Sequence, residues 1–459
     1  MSHPAASIIT KTDGGPIAVA ITGASGGFGR TFLAQLKRLE TMRASVLVDL
    51  DLEAASSLLN ELGYPDTSWS ICRDAVEVSN AVAGGRLALV DDIELLTAEA
   101  YDVLVEATGS TRAGFTFAER AIDQGRHVIM VSKEVESLSG VYLADRAKQA
   151  GVAYLPGMGD QPANLLALLG WVKAVGLPVV AVGKSSEYDL VFDPSTGVVR
   201  QLDAELHAPE LAELLTLGDD RTATLDARAK AVAGFKRAAA ADSCEMAVVS
   251  QYSGHVPDVE TMHYPVARPD ELADVYALRK HGGLLGRTGA ADVFSMLRLP
   301  GEASFAGGEF VIVETGDAVT WETLRQKGHV VSRDGRYACI FSPYHLMGVE
   351  TPLSVLEAVS GHRVPAEPRQ YSTLTGRAER DLPAGAALQV AGHHHEIDGV
   401  APVLRATADT APDVAPFYLL DRTRLARPVA AGELITLQDI DGFDQRLWDA
   451  FAVGRELGA

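Results

Sequence analysis

Near the start of the chain, Gly23-Ala24-Ser25-Gly26-Gly27-Phe28-Gly29 have the types and spacing to hold a pyrophosphate. They lie between an apolar run, 17–23, and a segment with apolar residues at helical spacing, which makes a strand–turn–helix junction. Backbone without side chains approaches a phosphate closely there, and the helix start adds free N–H groups and a positive dipole end. The glycines at 23, 26 and 29 follow GxxGxxG rather than GxGxxG. Asp49 and Asp51 close the next apolar run. An acid there accepts hydrogen bonds from a ribose diol and disfavours a 2′-phosphate, which leans towards NAD(H). Arg30 or Arg43 could offset that repulsion and admit NADP(H), and Asp51 equally suits a helix N-cap.

Two more apolar runs end in polar residues. Thr108 and Gly109 follow DVLVEA, and Ser132 and Lys133 follow HVIMV. Ligands of an open parallel sheet lie beyond the carboxyl ends of its strands, so these residues border a nicotinamide pocket. The candidate cofactor contacts are thus Gly23, Ser25, Gly26, Gly27, Phe28, Gly29, Asp49, Thr108, Gly109 and Ser132. Lys133 is placed to hold a substrate oxygen, or to donate a proton if burial depresses its pKa. The glycine loop also resembles that of short-chain dehydrogenases, but their tyrosine has a lysine four residues on. Tyr142 is followed by Leu-Ala-Asp-Arg and Tyr154 by Leu-Pro-Gly-Met, so that pair is missing.

The elements that must carry these residues are legible as a pattern. Through residue 157, Val/Ile/Leu runs alternate with amphipathic helical segments, as in a doubly wound parallel sheet of the Rossmann type. Residues 158–360 read as an α+β catalytic domain whose end could pack back on the first. Its helices are NLLALLGWVKAVG, ELAELLTL and LDARAKAVAGFKRAAA. Its strands are PVVAVGKS, MAVVSQYSG, FVIVETG and YACIFSP, with Trp171 read as core. Residues 361–380 are polar and broken and read as a linker, and 381–459 read as a small β-rich domain without a long helix.

Composition narrows the class. The chain has 459 residues, 47% hydrophobic and 22% charged, and a formal net charge of −21. That charge repels phosphate backbones and anionic membranes, which argues against a nucleic-acid or membrane partner. Cys72, Cys244 and Cys339 form neither a disulfide framework nor a metal cluster, and no apolar run reaches membrane-spanning length. A cytoplasmic homo-oligomer acting on a small molecule is expected. His393, His394 and His395 read as a solvated loop, and His345 as either a site residue or a hydrogen-bonded core histidine.

With these features in place, the chain resembles the homoserine-dehydrogenase-like superfamily. VSKE resembles the NKA loop of homoserine dehydrogenases, and HVIMVSKEVESL resembles the NKE loop of deoxyxylulose-phosphate reductoisomerases, which share the GxxGxxG spacing. Gly159-Asp160-Gln161-Pro162, Cys244-Glu245-Met246-Ala247-Val248 and Ser342-Pro343-Tyr344-His345-Leu346 with Glu350 resemble the group carrying a C-terminal SAF domain. So do DLPAGAAL and ARPVAAGELITLQDID near the C-terminus.

One branch of that group is reductoisomerase-like. The resemblance implies an oxidoreductase that rearranges 1-deoxy-D-xylulose 5-phosphate and reduces it with NADP(H) or NAD(H) to 2-C-methyl-D-erythritol 4-phosphate, in isoprenoid biosynthesis. Such chemistry needs a clamp on adjacent oxygens, for which Mn²⁺ or Mg²⁺ held by Asp160, Glu187 and Asp189 would serve, with Glu245 as a fourth candidate. Lys184, Ser185 and Ser186 would receive phosphate or hydroxyl groups. Lys133, Asp160, Lys184, Glu187, Asp189 and Glu245 make up the candidate catalytic set. Homoserine dehydrogenase, or another sugar-acid or polyol dehydrogenase, stands as an alternative. Asp226 and Lys230 have the four-residue spacing of the former but not its surroundings. A ligand-sensing SAF/Rossmann binding protein is the alternative of another class.

Overall fold

Continuous Val, Ile and Leu runs bounded by glycine turns become strands, and the amphipathic segments between them become helices. A computed structural model describes residues 15–361, 367–392 and 394–457. The first elements are β1 (Ile17–Thr22), α1 (Gly27–Leu36), β2 (Met42–Val48), α2 (Leu52–Glu61), β3 (Trp69–Ile71), α3 (Ala75–Ala83) and β4 (Leu87–Val90). Next come β5 (Val103–Glu106), α4 (Thr111–Asp123), β6 (His127–Met130), α5 (Lys133–Ala150), β7 (Tyr154–Pro156) and α6 (Gln161–Ala174). The middle holds β8 (Val179–Ser185), β9 (Leu190–Asp193), β10 (Val198–Gln201), β11 (Ala204–His207), α7 (Arg221–Ala231), α8 (Ala240–Ser253), β12 (Val256–Pro257) and β13 (Val266–Ala267). It continues with α9 (Leu272–Val275), β14 (Ala290–Arg298), β15 (Glu309–Glu314), α10 (Ala318–Gln326), β16 (Val330–Val331), β17 (Tyr337–Ser342) and α11 (Thr351–Ser360). The tail has β18 (Ser372–Ala378), β19 (Ala387–Leu388), β20 (Val400–Ala406), β21 (Thr423–Leu425), β22 (Ile440–Asp441) and α12 (Gln445–Leu457).

Two units emerge. One is built from Met1–Ala163, Leu346–Gln370 and Asp444–Ala459, the other from Asn164–His345 and Tyr371–Phe443. The first contains a seven-stranded parallel sheet in the order β3-β4-β2-β1-β5-β6-β7. On one side of β1 lie β2, β4 and then β3 at the edge; the chain then crosses to β5, β6 and β7 on the other. This is the doubly wound arrangement, with its topological switch between β1 and β5. Its core joins Val19, Ile21, Phe32, Leu47, Val105 and Ile129 to Val355 of α11. α12 packs on α5, burying Leu447, Ala450 and Phe451.

The second unit is organised by a mixed sheet of the order β11-β10-β9-β14-β8-β15-β17-β16, with β12 and β13 paired to β14. β8 sits centrally, parallel to β14 and antiparallel to β15. The strands of the tail form two small antiparallel sheets, β18-β20 and β19-β21-β22, and α8 lies against both β18 and β20.

Several expectations need correction. MAVVSQYSG is not a strand but the second half of α8, whose residues from Ala240 to Gln251 are all buried. An apolar run reads equally as a buried strand or a buried helix, and the small residues upstream extend it as a helix. ELAELLTL forms only a 3₁₀ turn at Pro209–Ala212, and the helix at LDARAK stops at Ala231. Within the presumed linker lies β18, 7 residues long, whose alternating Thr and Leu residues pair with β20. The tail does end in a long helix, α12. Trp171 is not core, being 54% exposed, whereas Leu165 and Leu169 are buried. His393 lies outside the described residues. Among those residues no helix is long and apolar enough to cross a membrane.

Candidate functional site

The first unit gathers the glycine loop and the other two polar strand ends at its switch point. Gly23 has φ +65°, and a Cβ on it would lie 2.6 Å from the Ala107 carbonyl oxygen, so the turn can close against β5 only as glycine. A Cβ on Gly29 would collide with the Ala24 carbonyl, whereas Gly26 and Gly27 are exposed and less crowded. Gly23 and Gly29 therefore serve packing, and Gly26 and Gly27 leave room for a ligand. α1 begins after Gly26 without a side-chain cap, so its first N–H groups are offered to an outside acceptor. Such a cradle fits a dinucleotide pyrophosphate.

Asp49 is committed to shaping this loop. Its Oδ2 accepts from Ser25 N at 2.8 Å and Ser25 Oγ at 2.7 Å, while Oδ1 accepts from Asp51 N at 3.0 Å. Asp51 caps α2 through the Ala54 N–H at 2.9 Å. Beside β5, Gly109 N donates to Ser132 Oγ at 2.8 Å. Ser132 is buried, so it joins two strand ends instead of opening directly onto the crevice.

Lys133 starts α5 and is half-buried. Next to it Glu134, absent from the sequence-derived set, is buried, and its carboxyl is pushed up to about 7. Burial is the main cause; Lys133 and its own backbone N–H oppose it, and the charges of Asp160 and Glu106 add to it. A carboxyl balanced near neutrality beside a lysine can give or take a proton. Its VSKE context was visible, but burial was not. Asp160 lies on the short turn after β7, where the Gly159 position is crossed by Leu346–Glu350: a Cβ on Gly159 would lie 2.8 Å from Leu346 O. Segments far apart in sequence, GDQP and the stretch leading to Glu350, thus meet within this unit.

The second unit brings Lys184 and Glu245 together and adds a residue that the sequence reading missed. Lys184, on β8, is only 2% exposed, and its Nζ pairs with Asp242 Oδ1 at 2.7 Å and with Glu245 Oε2. Asp242 and Glu245 are three residues apart on α8, so both face the same side. Had this segment been a strand, they would point to opposite faces. The Tyr264 hydroxyl donates to Asp242 Oδ2 at 3.4 Å, and burial followed by the Asp242 charge holds the Tyr264 pKa well above its usual value. The expectation of Lys184 as a phosphate anchor is corrected: its charge is matched inside the fold. Ser185 is likewise turned inward, donating to Phe305 O at 2.6 Å.

Other candidates scatter. Asp189 is buried, and its Oδ2 accepts from Arg298 Nε at 2.7 Å. Glu187 is half-buried in the turn before it. Asp160 belongs to the first unit, and Glu187 and Asp189 to the second. Among the described residues no group of three or more His, Cys, Asp or Glu side chains has the arrangement of a metal site. His345 Nδ1 lies 3.0 Å from Gly307 O, and His395 Nδ1 lies 2.7 Å from the Tyr418 hydroxyl, so both rings take part in the packing.

Comparison with known proteins adds a family-model match over part of the chain. Residues 159–351 match the family model for the catalytic domain of oxidoreductase DRL. The protein is an enzyme, an oxidoreductase. No curated protein matches the chain. Among solved structures, a DOX-P reductoisomerase with fosmidomycin and magnesium is 14% identical over 77% of this chain and 72% of its own, with a TM-score of 0.34. The 1-deoxy-D-xylulose 5-phosphate reductoisomerase of Zymomonas mobilis, in complex with NADPH, is 14% identical over 75% and 82%, with a TM-score of 0.32. A probable dehydrogenase from Thermotoga maritima is 14% identical over 76% and 90%, with a TM-score of 0.37.

Proposed function

We propose that this oxidoreductase uses NADPH or NADH bound at the β1/β5 switch point to reduce a polyhydroxylated carbonyl compound, and that 1-deoxy-D-xylulose 5-phosphate is its substrate. The observation that carries the reading is the uncapped, glycine-lined start of α1 in the same chain as a DRL catalytic domain. The nicotinamide supplies hydride chemistry when bound; the side chains supply orientation and protons. Lys133 and Glu134, at the carboxyl end of β6, are the pair placed to hold a substrate oxygen and to move a proton near neutral pH. The role of Lys184, Asp242 and Glu245 in this reading is to keep a rigid, charge-matched floor under the catalytic domain.

The test is oxidation of NADPH and NADH by the purified protein with 1-deoxy-D-xylulose 5-phosphate or aspartate semialdehyde, each with Mg²⁺, Mn²⁺ or chelator. Turnover of the sugar phosphate with competitive inhibition by fosmidomycin supports the reading. Turnover of aspartate semialdehyde alone would move the assignment to a homoserine dehydrogenase. Full activity in chelator would remove a divalent cation from the mechanism.

A further inference from the structure

The catalytic reading leaves one fully buried acid in the first unit without a role. Glu106, the last residue of β5, is 0% exposed. Its Oε1 accepts from Thr108 N at 3.0 Å, Thr108 Oγ1 at 2.5 Å and Thr22 Oγ1 at 3.3 Å. Its Oε2 is buried and accepts no hydrogen bond among the described residues. Its backbone carbonyl takes Val131 N at 2.9 Å and Ser132 N at 3.3 Å. Thr22 ends β1, Thr108 follows β5, and Ser132 lies between β6 and α5. One residue therefore ties all three strand ends that line the crevice, with its side chain at β1 and β5 and its carbonyl after β6.

The surroundings are fitted to this carboxyl. A Cβ on Gly114 of α4 would lie 2.7 Å from Glu106 Oε2 and 2.7 Å from Val135 Cγ2, so the helix can pass only where it carries no side chain. Burial raises the Glu106 pKa, and the nearby Ser132 hydroxyl and the donors of Thr108 and Thr22 oppose the rise. Ser132 Oγ in turn accepts from Gly109 N, which extends the network to the turn facing the ligand space. Removing such a hub would leave several buried donors without acceptors.

We infer that Glu106 is the positioning residue of the dinucleotide crevice, its buried carboxyl fixing Thr22 and Thr108 and its carbonyl holding Ser132, so that the ends of β1, β5 and β6 form one preformed surface for the cofactor. The inference rests on the dinucleotide reading of the glycine loop. Glu106 acts through its neighbours and needs no contact with the ligand.

Calorimetric titration of the full chain with NADPH and NADH tests it. Glu106→Ala is expected to weaken the better-bound nucleotide roughly ten- to hundredfold, because several loops lose their common anchor. Glu106→Gln keeps an oxygen acceptor of the same shape and should restore affinity to within about threefold of the native protein. Tyr154→Phe is the control, since it removes another buried hydroxyl–carboxyl bond of this unit, to Glu136, and should lower Tm without altering affinity. If Glu106→Ala fails to fold, the isosteric Thr22→Val should still weaken binding several-fold. Native affinity in Glu106→Ala or Thr22→Val, or no recovery in Glu106→Gln, overturns the positioning role. A native protein that binds neither nucleotide would instead sink the dinucleotide reading itself.

Discussion

The glycine crevice of the first unit and the buried lysine cluster of the second solve opposite problems. In the crevice, chemistry comes from the backbone: N–H groups at a helix start, a left-handed glycine and strand ends on either side of a switch point. In the cluster it comes from side chains, with Lys184 of β8 sealed between Asp242 and Glu245 of α8. A backbone site stays open because its donors are already fixed by the sheet. A buried ion cluster has to be closed, because charges removed from water stabilise one another only with partners in place. Ligand binding is therefore expected of the first and rigidity of the second.

Lys184→Met attacks the closed region and should have the largest effect. It strands two buried carboxylates and should cost about 3–5 kcal/mol of unfolding free energy in urea titrations. Lys184→Met combined with Glu245→Met should recover at least half of that loss, since fewer unmatched charges remain. A single-variant cost under about 1 kcal/mol would mean that the cluster is solvated and that the contrast between the regions fails.

Gly26→Val attacks the open region. It should weaken NADPH and NADH binding by about a hundredfold or more while Tm stays near native, because the added side chain fills ligand space instead of core. Gly29→Val should unfold the protein instead, since its Cβ meets the Ala24 backbone. Equal thermal damage from both would erase the distinction between packing and binding glycines.

Glu134→Gln probes where the two principles overlap, a buried charge at an open site. The carboxyl is raised from 4.5 to about 7, so the folded protein binds a proton more tightly than the unfolded chain. Stability from this group is then present below pH 4.5 and is lost as pH rises to about 7, by of order 3 kcal/mol. In Glu134→Gln this fall should vanish, along with any inflection near pH 7 in kcat/KM. A native stability profile flat over that window would remove Glu134 as a proton carrier.

Ser25→Ala should have the smallest effect. It deletes one of the two Ser25 bonds to Asp49 and should raise the cofactor Kd about fivefold, in line with a single hydrogen bond. No change would mean that Asp49 is held well enough by the Ser25 and Asp51 N–H groups alone.

The parallel sheet, its strand ends and the glycine junction could be read from the chain because each depends on local periodicity and on glycines within a few residues of one another. Gly23 to Gly29, Thr108, Gly109, Ser132 and Lys133 needed only a correct strand count to be placed at one edge of the sheet. What an apolar run becomes when it is buried on every side is not local. MAVVSQYSG folded as helix because the tertiary environment covers its faces, continuing the helix that begins at Ala240 and sets Asp242 and Glu245 on one side. Burial is likewise collective: it turned Lys184 from a surface anchor into a paired core charge, Glu134 into an acid titrating near neutrality, and Glu106 into the hub of three strand ends. Sequence carries which groups can ionise and where strands stop. The packing of distant segments decides how much water each group keeps, and with it the charge it holds and the neighbours it must have.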